Sequence, residues 1–536
     1  MKKVLIANRG EIAIRIARTC SDLGLKTVGI YSEDDSNSLH LSKVDEAFKI
    51  EGNGAQAYLN IKEIIAVAKK SKVDAIHPGY GFLSENPSFA SAAKRAKIKF
   101  VGPSERTLKI FGDKTSAKEL ALSLGIPVIA GTKQKTTLKQ AEDFLKSLKK
   151  NSSVVIKAIS GGGGRGMRVV SKPDDLKESF DRASSEAKAS FDSPDLYLEE
   201  YLRDYRHIEF QILGDGTGAV SHLHERECSI QRRYQKLIEI APSPSLNVDL
   251  KSRMIEASLA LTQKLKYEGL ATIEFLVNIE KNDFRFIECN PRLQVEHTVT
   301  ESVLSLDLVR AQLQIASGKT LKQIKLEQEN VPEPQGYAIQ SRVNMETIDS
   351  QGNANPGGGI FENFDLPSGP GVRADSYGYA GYQTNPLFDS LIAKIITYAP
   401  ADNFKQAINR NYRSLCEFKI SGVPTNLNLL KNILVNKDFK NNKVHTNFFE
   451  DNLDTLTSLK DHSDLSDINR SISKDIPKRG KIEDLDPLAV LDHGKSGGVF
   501  VDQSENILEL QQLDIKEGYE SVNAPMQGMI VKFNVK

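Results

Sequence analysis

An apolar run at 4–7, VLIA, is followed by the polar turn NRGE and then by Ile12, Ile16, Cys20 and Leu23, whose spacing lays one apolar stripe along a helix. A second apolar run, TVGIY at 27–31, completes a βαβ start. IKEIIAVAKK at 61–70 reads as helix, DAIH at 74–77 as strand, residues 89–96 as helix and IKFVG at 98–102 as strand. Elements alternating at these lengths predict a doubly wound parallel sheet over residues 1–112. The first turn has no GxGxxG and reads as structural. The glycine and proline loop at 78–81 follows a strand's carboxyl end, where open α/β sheets bind ligands.

A second unit, 113–334, begins with a helical segment opened by Lys114, a break at 125–127 and a helix-rich stretch to Lys150. VVIKAISGGGGRGMRVV at 154–170 then sets a glycine loop between two apolar runs, predicting strand, loop and strand inside a lid of about 131–203. Glycines without Cβ let backbone N–H groups approach phosphate oxygens, and Lys157 adds a charge on the entering strand. The pattern is not GxxxxGK[ST], and a phosphate flap fits the flanking strands better than a free linker does. Residues 196–242 predict two or three strands joined by the GDGTG turn, with His207 and Glu209 on one face. A strand histidine is more often structural than catalytic, and the charges of IQRRYQK at 230–236 also fit a solvated face.

In 284–297, FRFIECNPRLQVEH, alternation turns Glu288 and Asn290 to one face of a strand. TIEFLVN at 272–278 is a second strand, and a turn near Lys281 puts Glu274 opposite Glu288. Two carboxylates and an amide then converge on a volume that suits a hard divalent cation. An ordinary hairpin with both carboxylates in solvent fits the same alternation. Downstream, Arg292, Gln294 and Glu296 supply an anion fork, an amide and a base.

Residues 335–445 form a third, mixed α+β unit, with strand-like YAIQSRVNM, a glycine-rich turn at 356–359, SLIAKIITYA and a helix through 402–418. Residues 446–520 are polar and weakly periodic and read as linker. A flexible chain of that length spans about 45–50 Å, enough for a tethered carrier to visit a site and leave.

At 536 residues the chain has room for several cores. Its 71 basic and 70 acidic residues leave no field that would draw in nucleic acid or a membrane surface. No leader-like start and no apolar window approaching about 18 residues is found, so a soluble, cytoplasmic protein is expected. Cys20, Cys228, Cys289 and Cys416 are scattered without a CxxC pair, which indicates neither a disulfide framework nor a zinc site.

The runs IANRGEIA, HPGYGFLSEN, GDKTSAK, SGGGGRGMRVV, ERECSIQRR, IECNPRLQVEHTVTE and AGY at 380–382, in this order, closely resemble the biotin carboxylase family over about residues 1–450. That family belongs to the ATP-grasp ligases and is the ATP-using component of acyl-CoA and pyruvate carboxylases. The resemblance implies that Lys114, Lys157, His207 and Gln231 hold ATP, with 199–202, Glu199 to Leu202, as adenine hinge and Gly161, Gly162, Gly163, Gly164 and Gly166 as phosphate lid. It implies a Mg²⁺ (or Mn²⁺) site at Glu274, Glu288 and Asn290. Lys236, Arg292, Gln294 and the Val295 backbone match the bicarbonate cradle, and Glu296 the general base. Arg342 matches the residue facing the biotin ureido oxygen, and Tyr80 and Gly81 the loop touching biotin. Three positions depart from the family: Tyr234 stands where many relatives have histidine, Ile159 replaces a small polar residue, and Glu200 a common lysine.

The expected partners are a biotinyl carrier domain, a carboxyltransferase and a second copy of the chain. The closing VNAPMQGMIVKFNVK at 522–536 resembles the first strands of a carrier domain and stops before the Ala-Met-Lys-Met turn. A fragment of a fused carboxylase, or a subunit receiving biotin from another polypeptide, would give this pattern, and the fragment is favoured. The fused layout points to an acyl-CoA acceptor. Another ATP-grasp ligase and an inactive scaffold are the competing functions.

Overall fold

Strand β1 (Lys3–Ile6) is apolar on both faces because helices cover both sides of its sheet. In the computed structural model, which describes residues 1–132, 135–149, 152–159, 167–191, 193–400, 403–458 and 462, β1 pairs in parallel with β2 (Lys26–Tyr31) and β4 (Ala75–His77). With β3 (Glu46–Lys49) and β5 (Lys99–Phe100) the order is β3-β2-β1-β4-β5, the doubly wound sheet expected. Val4 and Ile6 pack towards helix α1 (Gly10–Asp22), with Ile12, Ile16 and Cys20, while Leu5 faces Ile64, Ala68 and Phe89 on the opposite side. The NRGE turn is structural too. Arg9 forks onto Asp35 with two 2.6 Å bonds, and its guanidinium lies 3.8 Å from the Phe388 ring centroid of the third unit.

Helix α2 (Lys114–Ser123) starts where the Asp113 carboxylate accepts from the Ser116 N–H at 2.7 Å. Beyond it β6 (Ser153–Ala158) is flanked by antiparallel β7 (Met167–Val170) and β8 (Leu196–Tyr201). This three-stranded sheet has a small core of its own, Val154, Ile156, Leu196 and Leu198 against Leu176, Ala183 and Ala187. Residues 446–458, expected as linker, instead carry helices Phe448–Asp451 and Leu453–Thr457, whose Phe448, Phe449 and Leu456 are buried in the core of the third unit. The lid glycines at 161–166, the linker from 459 on apart from 462, and the closing segment lie outside the described residues.

The larger sheet is antiparallel throughout. It is built from β9 (Arg206–Asp215), β10 (Val220–Arg232), β11 (Gln235–Ala241), β12 (Glu268–Asn278), β13 (Asp283–Asn290), β14 (Tyr337–Asn344), β15 (Val372–Ser376) and β16 (Leu391–Ala399). The order is β13-β12-β9-β10-β11-β14-β16-β15, so β11 and β14 join the central unit to the third in one hydrogen-bonded sheet. Helices Phe404–Glu417 and Leu427–Val435 cover its far end through Ile408, Leu415, Leu430 and Ile433.

Residues 196–242 hold four strands, not two or three. Two of the breaks carry no glycine. Asp204 turns the chain between β8 and β9 at φ 63°, and Arg233 and Tyr234 turn it between β10 and β11 at φ 48° and 67°. Paired left-handed residues make a tight hairpin turn that usually shows itself as Asn-Gly, and Arg-Tyr hides it.

Candidate active site

The hairpin β12/β13 sets Glu274 directly opposite Glu288 and Thr272 opposite Asn290. Glu274 is buried. Its Oε1 accepts from Asn290 Nδ2 at 3.0 Å and Gln294 Nε2 at 3.3 Å, and its Oε2 lies 3.0 Å from His207 Nε2. Glu288 stands at the partly exposed lip, with Oε1 3.5 Å from Asn290 Nδ2 and Oε2 3.8 Å from Lys114 Nζ. Burial alone would raise the Glu274 carboxyl, but Lys236 and then His207 outweigh it and hold it far below the usual carboxylate range.

Lys236, at the start of β11, is the hub of the deeper cluster. Its Nζ bonds Glu209 and Glu296 at 2.5 Å each and Glu274 at 3.0 Å. Burial pulls this ammonium down, yet the three carboxylates, Glu209 foremost, leave it well above its ordinary value. Wholly buried Arg226 donates to Glu209 at 2.5 Å and Gln211 at 2.8 Å. Arg342, reaching over from β14, donates to Glu296 Oε2 at 3.0 Å and also grips Glu239. Burial would raise Glu296, but Lys236, Arg342 and Arg226 keep it well below the ordinary range. Glu239 responds the other way: burial raises it, and Arg342 only partly offsets that. Charges buried this deeply are tolerated because each meets at least one partner of opposite sign and further hydrogen bonds.

Arg292 extends from the loop after β13. It pairs with Glu85 and donates to Gln294 Oε1 at 3.0 Å and Asn290 Oδ1 at 3.3 Å. The Val295 carbonyl accepts from Lys394 at 3.2 Å. Tyr80 is held by its own carbonyl, which accepts from Asn8 Nδ2 at 2.8 Å, and Gly81 sits at φ 67°.

On the lid side Lys157 of β6 and Lys118 of α2 both grip the Glu199 carboxylate. Burial, then the nearby Lys114 charge, presses both ammoniums down, to about 8 for Lys118 and about 7 for Lys157, and Glu288 works against that. His207 Nδ1 lies 2.6 Å from Gln231 Nε2, which also donates to the Cys228 carbonyl at 2.9 Å. Leu202 is half-buried at the end of β8. All four cysteines are buried and unpaired. Among the described residues no helix is long and apolar enough to cross a membrane.

The fold therefore gathers Lys236, Glu274, Glu288, Asn290, Arg292, Gln294, Glu296 and Arg342 into one linked cluster, with Lys114, Lys157, Glu199, His207 and Gln231 beside it. It also shows residues that pattern alone does not single out: Lys118, Glu85, Arg226 and Glu239. Lys118 had a signal, being one helical turn after Lys114 on the same face. Glu85 and Glu239 had none, since their partners are 207 and 103 residues away.

Three family models match the chain in succession: the biotin carboxylase N-terminal domain over 1–108, the carbamoyl-phosphate synthase L chain ATP-binding domain over 113–324, and the biotin carboxylase C-terminal domain over 340–451. The biotin carboxylase of Nostoc sp. is 44% identical over 455 residues, covering 84% of this chain and 98% of that one. This chain belongs to the biotin carboxylase family. It is therefore an enzyme, an ATP-grasp ligase with biotin carboxylase activity. Human mitochondrial pyruvate carboxylase is 44% identical over 457 residues, 84% of this chain but only 38% of that protein. The biotin carboxylase domain of Hydrogenobacter thermophilus 2-oxoglutarate carboxylase, a dimer in complex with MgADP, ADP and bicarbonate, superposes with a TM-score of 0.80 at 39% identity, over 86% of this chain and 99% of that domain.

Proposed function

We propose that this biotin carboxylase uses ATP and bicarbonate to carboxylate biotin presented on a carrier domain, as the first half-reaction of an acyl-CoA carboxylase. The observation that carries the reading is Glu296, held by Lys236 on one oxygen and Arg342 on the other. A carboxylate so placed remains ionised near neutral pH, ready to take a proton from an anion that Lys236 and Arg292 neutralise. Bicarbonate is a poor electrophile, and its attack on the ATP γ-phosphate depends on positioning and charge neutralisation. The carboxyphosphate formed breaks down to CO₂ and phosphate. That phosphate takes the biotin N1′ proton while Arg342 stabilises the developing ureido oxyanion, and N1′ then captures CO₂.

Lys114, Lys157, His207, Gln231 and the 199–202 hinge hold the nucleotide, together with the glycines at 161–166. For a Mg²⁺ or Mn²⁺ ion, Glu274, Glu288 and Asn290 are a fitting donor set: all oxygen ligands, with Glu288 at the exposed lip beside Lys114. The bound ion would neutralise phosphate charge. Tyr80 and Gly81 line the approach of biotin. The chain works in the cytoplasm as a homodimer, with the carrier and a carboxyltransferase as partners. A dimer in the Hydrogenobacter relative supports the second copy.

An acyl-CoA acceptor is supported by a single-chain, multi-domain long-chain acyl-CoA carboxylase with a TM-score of 0.75 at 37% identity, over 86% of this chain and 44% of that one. The pyruvate carboxylases favour a keto acid instead. Offering acyl-CoAs and pyruvate to the enzyme joined with its carrier and carboxyltransferase decides between them, and turnover of pyruvate alone ends the acyl-CoA reading. The half-reaction is tested by ATP cleavage that requires both bicarbonate and free biotin. Cleavage indifferent to biotin points to another ligase, and none at all to a scaffold.

A further inference from the structure

The loop between β13 and helix α3 (His297–Leu304) brings Arg292, Gln294 and Glu296 to the cluster, yet two of its carbonyls are held by side chains with no task in the reaction above. The Gln294 carbonyl accepts from His297 twice, from Nδ1 at 2.7 Å and from the backbone N–H at 3.3 Å. The Val295 carbonyl accepts from Lys394 Nζ at 3.2 Å. Both side chains are fully buried, at 0% exposure. Lys394 is balanced by Glu11 at 3.2 Å and Asp375 at 4.0 Å. A carbonyl cannot donate, so His297 must carry its proton on Nδ1. Its Nε2 has no hydrogen-bond partner, the Glu301 carboxylate being 3.8 Å away. Burial, then the charges of Lys394, Arg15 and Arg373, keep the ring neutral.

A trans peptide is planar, with each carbonyl pointing opposite to the N–H that follows it. Holding the Gln294 carbonyl on His297 therefore turns the Val295 N–H the other way, and holding the Val295 carbonyl on Lys394 does the same to the Glu296 N–H. Among the described residues neither N–H donates to a protein acceptor. Two unpaired backbone donors in succession in a loop that is largely buried, with Val295 partly exposed, suit an anion. Simple packing would be served by apolar residues, since a lysine is costly in the middle of a strand buried on both faces.

We propose that His297 and Lys394 are positioning residues for biotin carboxylation: they hold the backbone of 294–296 so that the Val295 and Glu296 N–H groups face the bicarbonate. This rests on the reading of the loop as the bicarbonate cradle. His297→Asn and His297→Gln test it, because the asparagine amide nitrogen lies where Nδ1 was and the glutamine nitrogen where Nε2 was. In steady-state kinetics with ATP, bicarbonate and free biotin, His297→Asn is expected to keep the bicarbonate KM within about threefold, while His297→Gln raises it about tenfold or more with the ATP KM unchanged. Lys394→Met combined with Glu11→Gln removes one charge of each sign and is expected to raise the bicarbonate KM likewise. A bicarbonate KM that is the same for His297→Asn, His297→Gln and the unaltered enzyme overturns the proposal. A fall in kcat and Tm with that KM unmoved also overturns it, because it marks damage to the fold alone. Arg292→Ala separates the two levels. If it leaves the bicarbonate KM unmoved, the cradle reading fails; if it raises that KM while His297→Gln does not, only the positioning role fails.

Discussion

Around Lys236, three cations, Arg226, Lys236 and Arg342, meet four carboxylates, Glu209, Glu239, Glu274 and Glu296, and nearly every oxygen has a donor. On the lid side, among the described residues, Lys114, Lys118 and Lys157 share only Glu199 and the more distant Glu288 as ion-pair partners. The first region is closed on itself, so an anion enters it only by taking donors away from a carboxylate already there. The second has a surplus of positive charge that a polyphosphate would balance. Both use lysines, but one gains selectivity from exchange of partners and the other affinity from unspent charge.

The largest effect that would break this comparison is expected for Lys236→Met. Three carboxylates lose a shared partner, so denaturant unfolding should show a loss of about 3–5 kcal/mol. Bicarbonate-dependent ATP cleavage should fall about a thousandfold. Undiminished stability would mean that Lys236 does not hold the cluster together. Next comes Glu296→Gln, with biotin-dependent turnover down about a hundredfold or more and nucleotide affinity, read by calorimetry, within about twofold. Equal losses in both would place Glu296 in binding rather than in proton transfer. Lys118→Met sharpens the other side: ATP affinity should weaken about tenfold with the bicarbonate KM unmoved. Were bicarbonate affected instead, the two regions would not be separate.

The smallest effect concerns pH. Glu274 and Glu296 are depressed carboxyls, so their contribution to stability is complete above the ordinary value of about 4.3 and is lost only below it. Between neutrality and pH 5 the groups that matter are buried histidines: His77 in the first sheet and His40 beside it, together with His222, His224 and His297. Burial lowers His40 to about 4 and His77 to about 3, against an ordinary value of about 6.5. The unfolded chain then takes up protons that the fold refuses. Stability is complete above about pH 6.5 and falls by about 1.4 kcal/mol per unit for each histidine below it. A denaturation midpoint that stays flat from pH 6.5 to 5 would remove these histidines from this role.

The hairpin of Glu274 and Glu288 was readable because strand alternation and a polar turn act over a few residues, and the pairing found is the one that pattern requires. The seven motifs did more, since they carried the family. What stayed hidden depends on long-range pairing. Glu209 and Arg226 become neighbours only when β9 and β10 align, and Arg342 meets Glu239 only through the β11–β14 ladder. Strand count failed at Arg233 and Tyr234 because local residue preference yielded to the demands of a buried hairpin.

The β11–β14 ladder also bears on how the molecule can be divided. Family boundaries invite a cut near residue 335, but the backbone of Ile238 to Ala241 is stitched to Ala338 to Ser341 across that cut. A nucleotide-binding piece ending there would display a bare, apolar strand margin containing Ile238 and Ile240, an open template for self-association. The same cut would take Arg342 away from Glu296. For this enzyme the smallest autonomous catalyst is set by a seam of main-chain bonds rather than by where sequence families begin and end.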